Sequence, residues 1–188
     1  MRKSAEHRAD PRTLVLGGIR SGKSAWAEST LTEMAGVHYI ATGRVADREP
    51  SWTQRIDEHR SRRPSDWSTV ETGDVAGELR AHPGRPTLVD DLGGWLTRVL
   101  DGRGWDGSGA DDDVDELVGA VEAFTAPLVL VSPEVGLSVV APTAAGRLFT
   151  DELGRLNQRL AGLCDQVVLV VAGQPLWVKS EAGSGGAH

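Results

Sequence analysis

Eight consecutive residues, Gly17-Gly18-Ile19-Arg20-Ser21-Gly22-Lys23-Ser24, have the types and the spacing that phosphate chemistry demands. They fit the pattern G-x-x-x-x-G-K-[ST]. Successive backbone N–H groups in such a turn, with a helix N-terminus beneath them, present partial positive charge to an anion. Gly17 and Gly22 are expected to take positive φ and to let the backbone approach phosphate oxygens. Lys23 then reaches the β- and γ-phosphates, and the Ser24 hydroxyl completes a Mg2+ shell made otherwise of water and phosphate. The flanks agree: the apolar run Thr13-Leu14-Val15-Leu16 reads as a buried strand, and Ala25-Trp26-Ala27-Glu28-Ser29 as the opening of a helix. The alternative is a plain strand-to-helix turn. With both glycines, the Lys-Ser pair and the flanks in place, the stretch implies binding of a nucleoside triphosphate.

Two more groups could act with this loop. Asp90 ends the apolar run Leu88-Val89-Asp90-Asp91, where a phosphate-loop protein places the carboxylate that holds Mg2+. An aspartate in that position also serves to cap the next helix. The second group is Arg55-Ile56-Asp57-Glu58-His59-Arg60-Ser61-Arg62-Arg63-Pro64. From Arg44 to Arg63 there are six arginines against four acids, a local basic excess that suits an anion site. Neighbouring arginines disfavour protonation of His59, and a neutral imidazole nitrogen can attack phosphorus to form a covalent phosphoramidate. Taken by itself the stretch reads more readily as an exposed helix laced with i,i+4 charge pairs and carrying an ordinary histidine. His7, His38, His82 and His188 have no ligand-like spacing to one another or to Cys164, so zinc is not expected. The six tryptophans read as core, or as lids over clefts.

The elements that must position these residues follow from periodicity. At 188 residues, 39% hydrophobic and 25% charged, the chain suits one globular domain. Its formal charge of −7 argues against a general nucleic-acid binder. The single Cys164 excludes an intramolecular disulfide and reads as a small buried hydrophobe. No run is long and apolar enough for a membrane span, residues 1–12 lack the core of a signal peptide, and a cytoplasmic location is expected. Residues 1–12 read as a flexible lead-in, 13–179 as one nucleotide-binding domain and 180–188 as a disordered tail.

Strands are expected at 13–16, 37–41, 68–71, 87–90, 127–132 and 166–171, and helices at 23–35, 51–62, 74–81, 92–100, 113–124 and 143–163. In the last helix Leu148, Phe149, Leu153, Leu156, Leu160 and Leu163 share one face. Alternating strand and helix predicts an α/β fold, a mostly parallel sheet with helices on both faces. Ligands of such sheets bind beyond the carboxyl ends of the strands, which nominates the phosphate loop, Thr42-Gly43, Asp90-Asp91 and Ser132-Pro133-Glu134. Residues 44–50 and 101–112 carry breakers and read as surface loops.

With these residues in view, the chain resembles the bifunctional adenosylcobinamide kinase / adenosylcobinamide-phosphate guanylyltransferase family of cobalamin biosynthesis. The resemblance runs from about Thr13 to Lys179. It rests on Gly17 to Ser24, Tyr39-Ile40-Ala41-Thr42-Gly43, Arg55-Ile56, His59-Arg60, Arg63-Pro64, Trp67, Thr69 and Glu71. Further on it includes Trp95-Leu96-Thr97, Glu134-Val135-Gly136, Arg147, Phe149, Asp151, Gly154 and Asn157-Gln158. It implies a P-loop NTPase (RecA-like) fold and a two-step route. ATP or GTP phosphorylates the hydroxyl of the aminopropanol arm of adenosylcobinamide. GTP then guanylylates a histidine, which passes GMP to the new phosphate to give adenosylcobinamide-GDP and pyrophosphate. In that reading His59 and Lys23 are catalytic and Ser24 and Asp90 hold Mg2+. Gly17, Gly18, Ile19, Arg20, Ser21, Gly22, Lys23, Ser24, Arg60, Arg63, Glu71 and Asp90 bind nucleotide. The corrinoid is the small-molecule substrate, and the assembly is a homo-oligomer, a homotrimer in the usual form.

The chain departs from the family pattern mostly at strand ends. Asp90-Asp91 stands where an acid is commonly followed by Cys. Arg98 replaces the Asn after Trp-Leu-Thr, and Pro133 replaces the Asn before Glu-Val-Gly. Ser138 replaces a Gly, Val-Pro is displaced to Val140-Ala141-Pro142, and Ser51 replaces an acid. These changes leave two other readings open: a kinase-only phosphotransferase, or a nucleotide-binding protein with impaired catalysis.

Overall fold

Leu14, Val15, Leu128, Val129, Leu130 and Val131 are fully buried and alternate between two separate apolar clusters, one on each face of a sheet. That alternation is what the period of two along a strand dictates when both faces are covered. The computed structural model describes residues 12–43, 63–137 and 141–180. The expected loop 44–50 and the expected helix 51–62 lie outside these, as do His59 and Arg60.

Seven strands form one sheet: β1 (Arg12–Gly17), β2 (His38–Ala41), β3 (Ser68–Glu71), β4 (Thr87–Asp90), β5 (Leu128–Pro133), β6 (Gln166–Val171) and β7 (Gln174–Lys179). Their order is β3-β2-β4-β5-β1-β6-β7, parallel throughout except for the β6–β7 pair. The described helices are α1 (Lys23–Leu31), α2 (Val75–Ala81), α3 (Leu92–Gly102), α4 (Asp111–Ala123) and α5 (Ala144–Leu163). Ala27 and Leu31 of α1 pack on one face with Val15, Tyr39, Val129 and Val168. Residues of α2 to α5, among them Leu79, Leu96, Leu117 and Leu156, pack on the other. This is the doubly covered, mostly parallel sheet that the strand-helix alternation predicts.

Local chemistry sets the boundaries. Asp74 and Thr143 cap α2 and α5 by accepting from the backbone N–H of Gly77 and Gly146. α1 stops at Leu31, short of the expected residue 35. Hydroxyls of Ser29, Thr30 and Thr32 donate to carbonyls of its own last turns, and Gly36 at φ 67 closes the turn that follows.

The expected surface loop 101–112 is much shorter. α3 runs on to Gly102 and α4 begins at Asp111, because three aspartates in a first turn favour a helix N-terminus rather than break it. Between them the Trp105 indole N–H donates to Asp101 at 2.8 Å, and Ala110 is fully buried.

β7 has no counterpart in the sequence expectations. It pairs antiparallel to β6 across Ala172 (φ 50) and Gly173 (φ 77), the two left-handed residues a two-residue hairpin requires. Cys164 is buried as expected, and burial pushes its thiol up to about 12. Trp67 and Trp95 belong to the core, while Trp26 and Trp177 meet edge to face at 5.9 Å along a surface cleft.

Candidate functional site

β1 delivers the chain to Gly17 at the carboxyl edge of the sheet, and α1 leaves from Lys23, so residues 18–22 form the connecting loop. Its shape is held by three backbone hydrogen bonds: Ser21 N–H to Gly18 O (3.3 Å), Trp26 N–H to Gly22 O (2.9 Å) and Gly173 N–H to Ser21 O (2.7 Å). The last comes from the β6–β7 turn, which therefore buttresses the loop. Positive φ is found at Gly22 (φ 90) and at Arg20 (φ 57), not at Gly17. Gly17 is required for space instead. A Cβ there would lie 2.4 Å from Ser21 Oγ and 2.8 Å from the Val170 carbonyl oxygen, and the latter is backbone of the neighbouring strand. Gly17→Ala is expected to displace the loop and weaken nucleotide binding by at least about tenfold, an effect of one to two kcal/mol in order of magnitude, as overpacking costs. Titration with a fluorescent nucleotide analogue checks this.

Beyond the loop, the Ser24 hydroxyl donates to Asp90 Oδ1 at 3.0 Å, although β5 lies between β1 and β4 in the sheet. The other Asp90 oxygen accepts from the Tyr39 hydroxyl. Burial, reinforced by the Asp90 charge, holds the Tyr39 phenol well above its ordinary pKa, so it remains a donor. The Arg63 guanidinium sits 3.3 Å over the Tyr39 ring and donates from Nε to Glu28 Oε1 at 3.0 Å, both side chains nearly buried. Arg63 thus joins the site as the support of Tyr39, and through it of Asp90.

The capping use weighed for an aspartate at this strand end falls on the residue after Asp90. Asp90 faces Ser24, while Asp91 caps α3 by accepting from Gly94 N–H at 3.1 Å. Asp91 does so from a left-handed backbone (φ 77), held by the buried Thr42 hydroxyl, which donates to the Asp91 carbonyl. Burial pushes the Asp91 carboxyl above its usual range, the Gly94 N–H opposes this, Asp90 adds to it, and the Lys23 charge opposes it. Lys23 itself lies over the loop, its Nζ 3.4 Å from Gly18 O. Lys23, Asp90 and Asp91 therefore share the mouth of the loop.

Pro133 and Glu134 complete the floor: Glu134 N–H donates to Gly17 O at 3.1 Å, and Asn157 of α5 donates its amide to Pro133 O at 3.1 Å. Asn157 also accepts from buried Ser132 at 2.6 Å, which ties the end of β5 to α5. Two of the departures are matched by glycine. A Cβ on Gly93 would meet the Pro133 ring at 2.6 Å, and one on Gly73 would meet the Arg98 stem at 2.4 Å. Glu71 stands exposed at the carboxyl end of edge strand β3, and Ile19 and Arg20 are exposed on the loop. Glu28 escaped sequence reasoning. Its only signal was a carboxylate on the face of α1 that carries Ala27 and Leu31 inward.

The model of the family described as cobinamide kinase / cobinamide phosphate guanyltransferase matches residues 13–178. A bifunctional adenosylcobalamin biosynthesis protein, CobP, from Pseudomonas aeruginosa is 41% identical over 174 residues, covering 90% of this chain and 98% of that one. Proteins of the same description, CobU, from Escherichia coli and Salmonella typhimurium are 34% and 35% identical, each over 88% of this chain and 98% of theirs. Among solved structures, a type III secretion system ATPase superposes with a TM-score of 0.54 at 11% identity, covering 85% of this chain and 50% of its own. A protein from Pyrococcus horikoshii OT3 superposes with a TM-score of 0.52 at 8% identity, covering 93% of this chain and 88% of its own. These two likenesses concern the fold alone.

Proposed function

The chain belongs to the cobinamide kinase / cobinamide phosphate guanyltransferase family, and from that premise we propose that it phosphorylates adenosylcobinamide and then guanylylates the product. In the first step a substrate hydroxyl attacks the γ-phosphorus of ATP or GTP, and the nucleoside diphosphate leaves. In the second, a nitrogen of His59 attacks the α-phosphorus of GTP and pyrophosphate leaves. A phosphate oxygen of adenosylcobinamide phosphate then attacks the same phosphorus, freeing His59 and giving adenosylcobinamide-GDP.

The observation that carries this reading is the Ser24–Asp90 pair at the mouth of the glycine loop, with Lys23 beside it. A hydroxyl and a carboxylate oxygen 3.0 Å apart are hard oxygen donors of the kind Mg2+ takes. Mg2+ held by Ser24 and Asp90 supplies charge neutralisation on the phosphates. The protein does the rest by position. The loop N–H groups bind phosphate oxygens, Lys23 balances charge on the transferring group, and Tyr39 with Arg63 fixes the Asp90 carboxylate. Arg60 and Glu71 are assigned to nucleotide contacts, and the active form to a homo-oligomer, on the family resemblance.

The test is a joint incubation with GTP and adenosylcobinamide that follows corrinoid phosphate, pyrophosphate and protein-bound GMP together. All three are expected to appear. Corrinoid phosphate alone would reduce the chain to a phosphotransferase, and nucleotide binding with no product would remove catalysis.

A further inference from the structure

His38 and His82 have no ligand-like spacing in sequence, yet the fold sets them side by side with Glu78. His38 is the first residue of β2, at the amino ends of the strands and so at the opposite edge of the sheet from the phosphate loop. Glu78 lies at the middle of α2, and His82, one turn later, is the C-cap of that helix. His38 Nε2 is 3.0 Å from Glu78 Oε2, and His82 Nδ1 is 3.6 Å from the same oxygen. The two imidazole centroids are 4.9 Å apart, and one ligand atom from each of the three residues falls within 4.8 Å of the others.

We propose that His38, Glu78 and His82 form a three-ligand site for a divalent transition metal, zinc being the best match, separate from the nucleotide site. Tetrahedral zinc with bonds of about 2.0–2.1 Å sets its ligand atoms about 3.3–3.4 Å apart, and the separations of 3.0 Å and 3.6 Å to the Glu78 oxygen bracket that value. Ser68 on β3 lies 2.9 Å from His38 Nδ1, so that nitrogen can donate to the hydroxyl while Nε2 keeps its lone pair toward Glu78. Such an outer hydrogen bond is how metal-bound imidazoles are oriented. Burial lowers the pKa of His38, which favours the neutral ring that ligates.

Exposure rises across the group, from 7% for the His38 side chain through 27% for Glu78 to 43% for His82, so one side opens to water. Three protein ligands with an open fourth position are the arrangement of a non-structural zinc site. Two imidazoles select zinc, copper or nickel over Mg2+, so this site does not compete for the ion of the nucleotide. The Arg85 charge opposes a cation here, but its Nε–H is engaged by Gly36 O at 2.6 Å. Arg80 on the same helix pairs with Glu116. A bound ion would join the end of α2 to β2, the strand whose next residue is Tyr39.

The test uses the full chain, stripped with a chelator and titrated with Zn2+ in excess Mg2+, and separately with Co2+. One equivalent of zinc is expected to bind with Kd of about 10 µM or tighter, and Co2+ should give the intense visible bands of tetrahedral coordination. His82→Ala and Glu78→Gln, both at solvent-accessible side chains, should each weaken binding at least tenfold while leaving the thermal unfolding of the metal-free protein close to that of the parent. No stoichiometric binding, binding undiminished in both variants, or only the weak bands of octahedral Co2+ would overturn the proposal.

Discussion

Replacing Lys23 with alanine is expected to slow phosphoryl transfer by about 10²–10³-fold, the cost of removing one preorganised charge from a transferring group. The same variant should lose protein-bound GMP by a comparable factor, because in the proposed route a single glycine loop serves the triphosphate in both steps. The folded state should hardly notice. Among the described residues the ammonium makes one long hydrogen bond, 3.4 Å to Gly18 O, and substitutions at such sites usually stay within about 0.5 kcal/mol. Steady-state kinetics of corrinoid phosphorylation, run beside labelling with α-labelled GTP and a thermal melt, separate these effects. A variant that loses phosphorylation but keeps full labelling would break the single-cradle reading, since the guanylyl step would then use another triphosphate site.

The second large effect is expected at His59. His59→Ala should reduce acid-labile GMP on the protein to background, because no other nucleophile in the resemblance accepts the guanylyl group. Phosphorylation of adenosylcobinamide should continue within a few-fold, since in the proposed route that step uses Lys23, Ser24 and Asp90. The chemistry turns on an unprotonated imidazole, so labelling should rise with pH as the ring loses its proton and should be insensitive to pH once it is neutral. Undiminished label in His59→Ala would sink the assignment outright. Loss of both activities together would instead make His59 part of the shared triphosphate site.

Much of this architecture could be read from residues alone because the central strands β1, β4 and β5 are short, largely apolar and covered on both faces. Among site residues Asp90 is the clearest instance. Its position after Leu88-Val89 announced a site residue, but only the fold could give the helix cap to Asp91 and turn Asp90 toward Ser24. The 101–112 segment misled because aspartate and glycine are breakers in isolation, whereas three aspartates at a helix start are favoured by the partial charge there. β7 was hidden for a related reason: Pro175 demotes a strand, and Ala172 is not a residue that advertises a left-handed turn. Gly17 was legible as necessary but for the wrong cause, since crowding by the Val170 carbonyl is a property of the neighbouring strand. The supports of Asp90 were beyond reach altogether. Tyr39, Arg63 and Glu28 come from a strand, a connecting segment and a helix, and no spacing rule relates them.

The strand order has a consequence for the order in which the site can come into being. β1 pairs only with β5 and β6, whose first residues are Leu128 and Gln166, while β2 pairs with β3 and β4, and β4 also with β5. During synthesis from the N-terminus the strand that carries the glycine loop therefore waits, without a partner, for more than half of the chain to be made. Ser24 and Asp90 are both translated early, but the strand that spaces them across the sheet comes later. Their meeting is a late, long-range event of the kind that slows folding and exposes unpaired edges in the meantime. A ribosome stalled before β5 would carry every residue of the phosphate cradle and none of its grip.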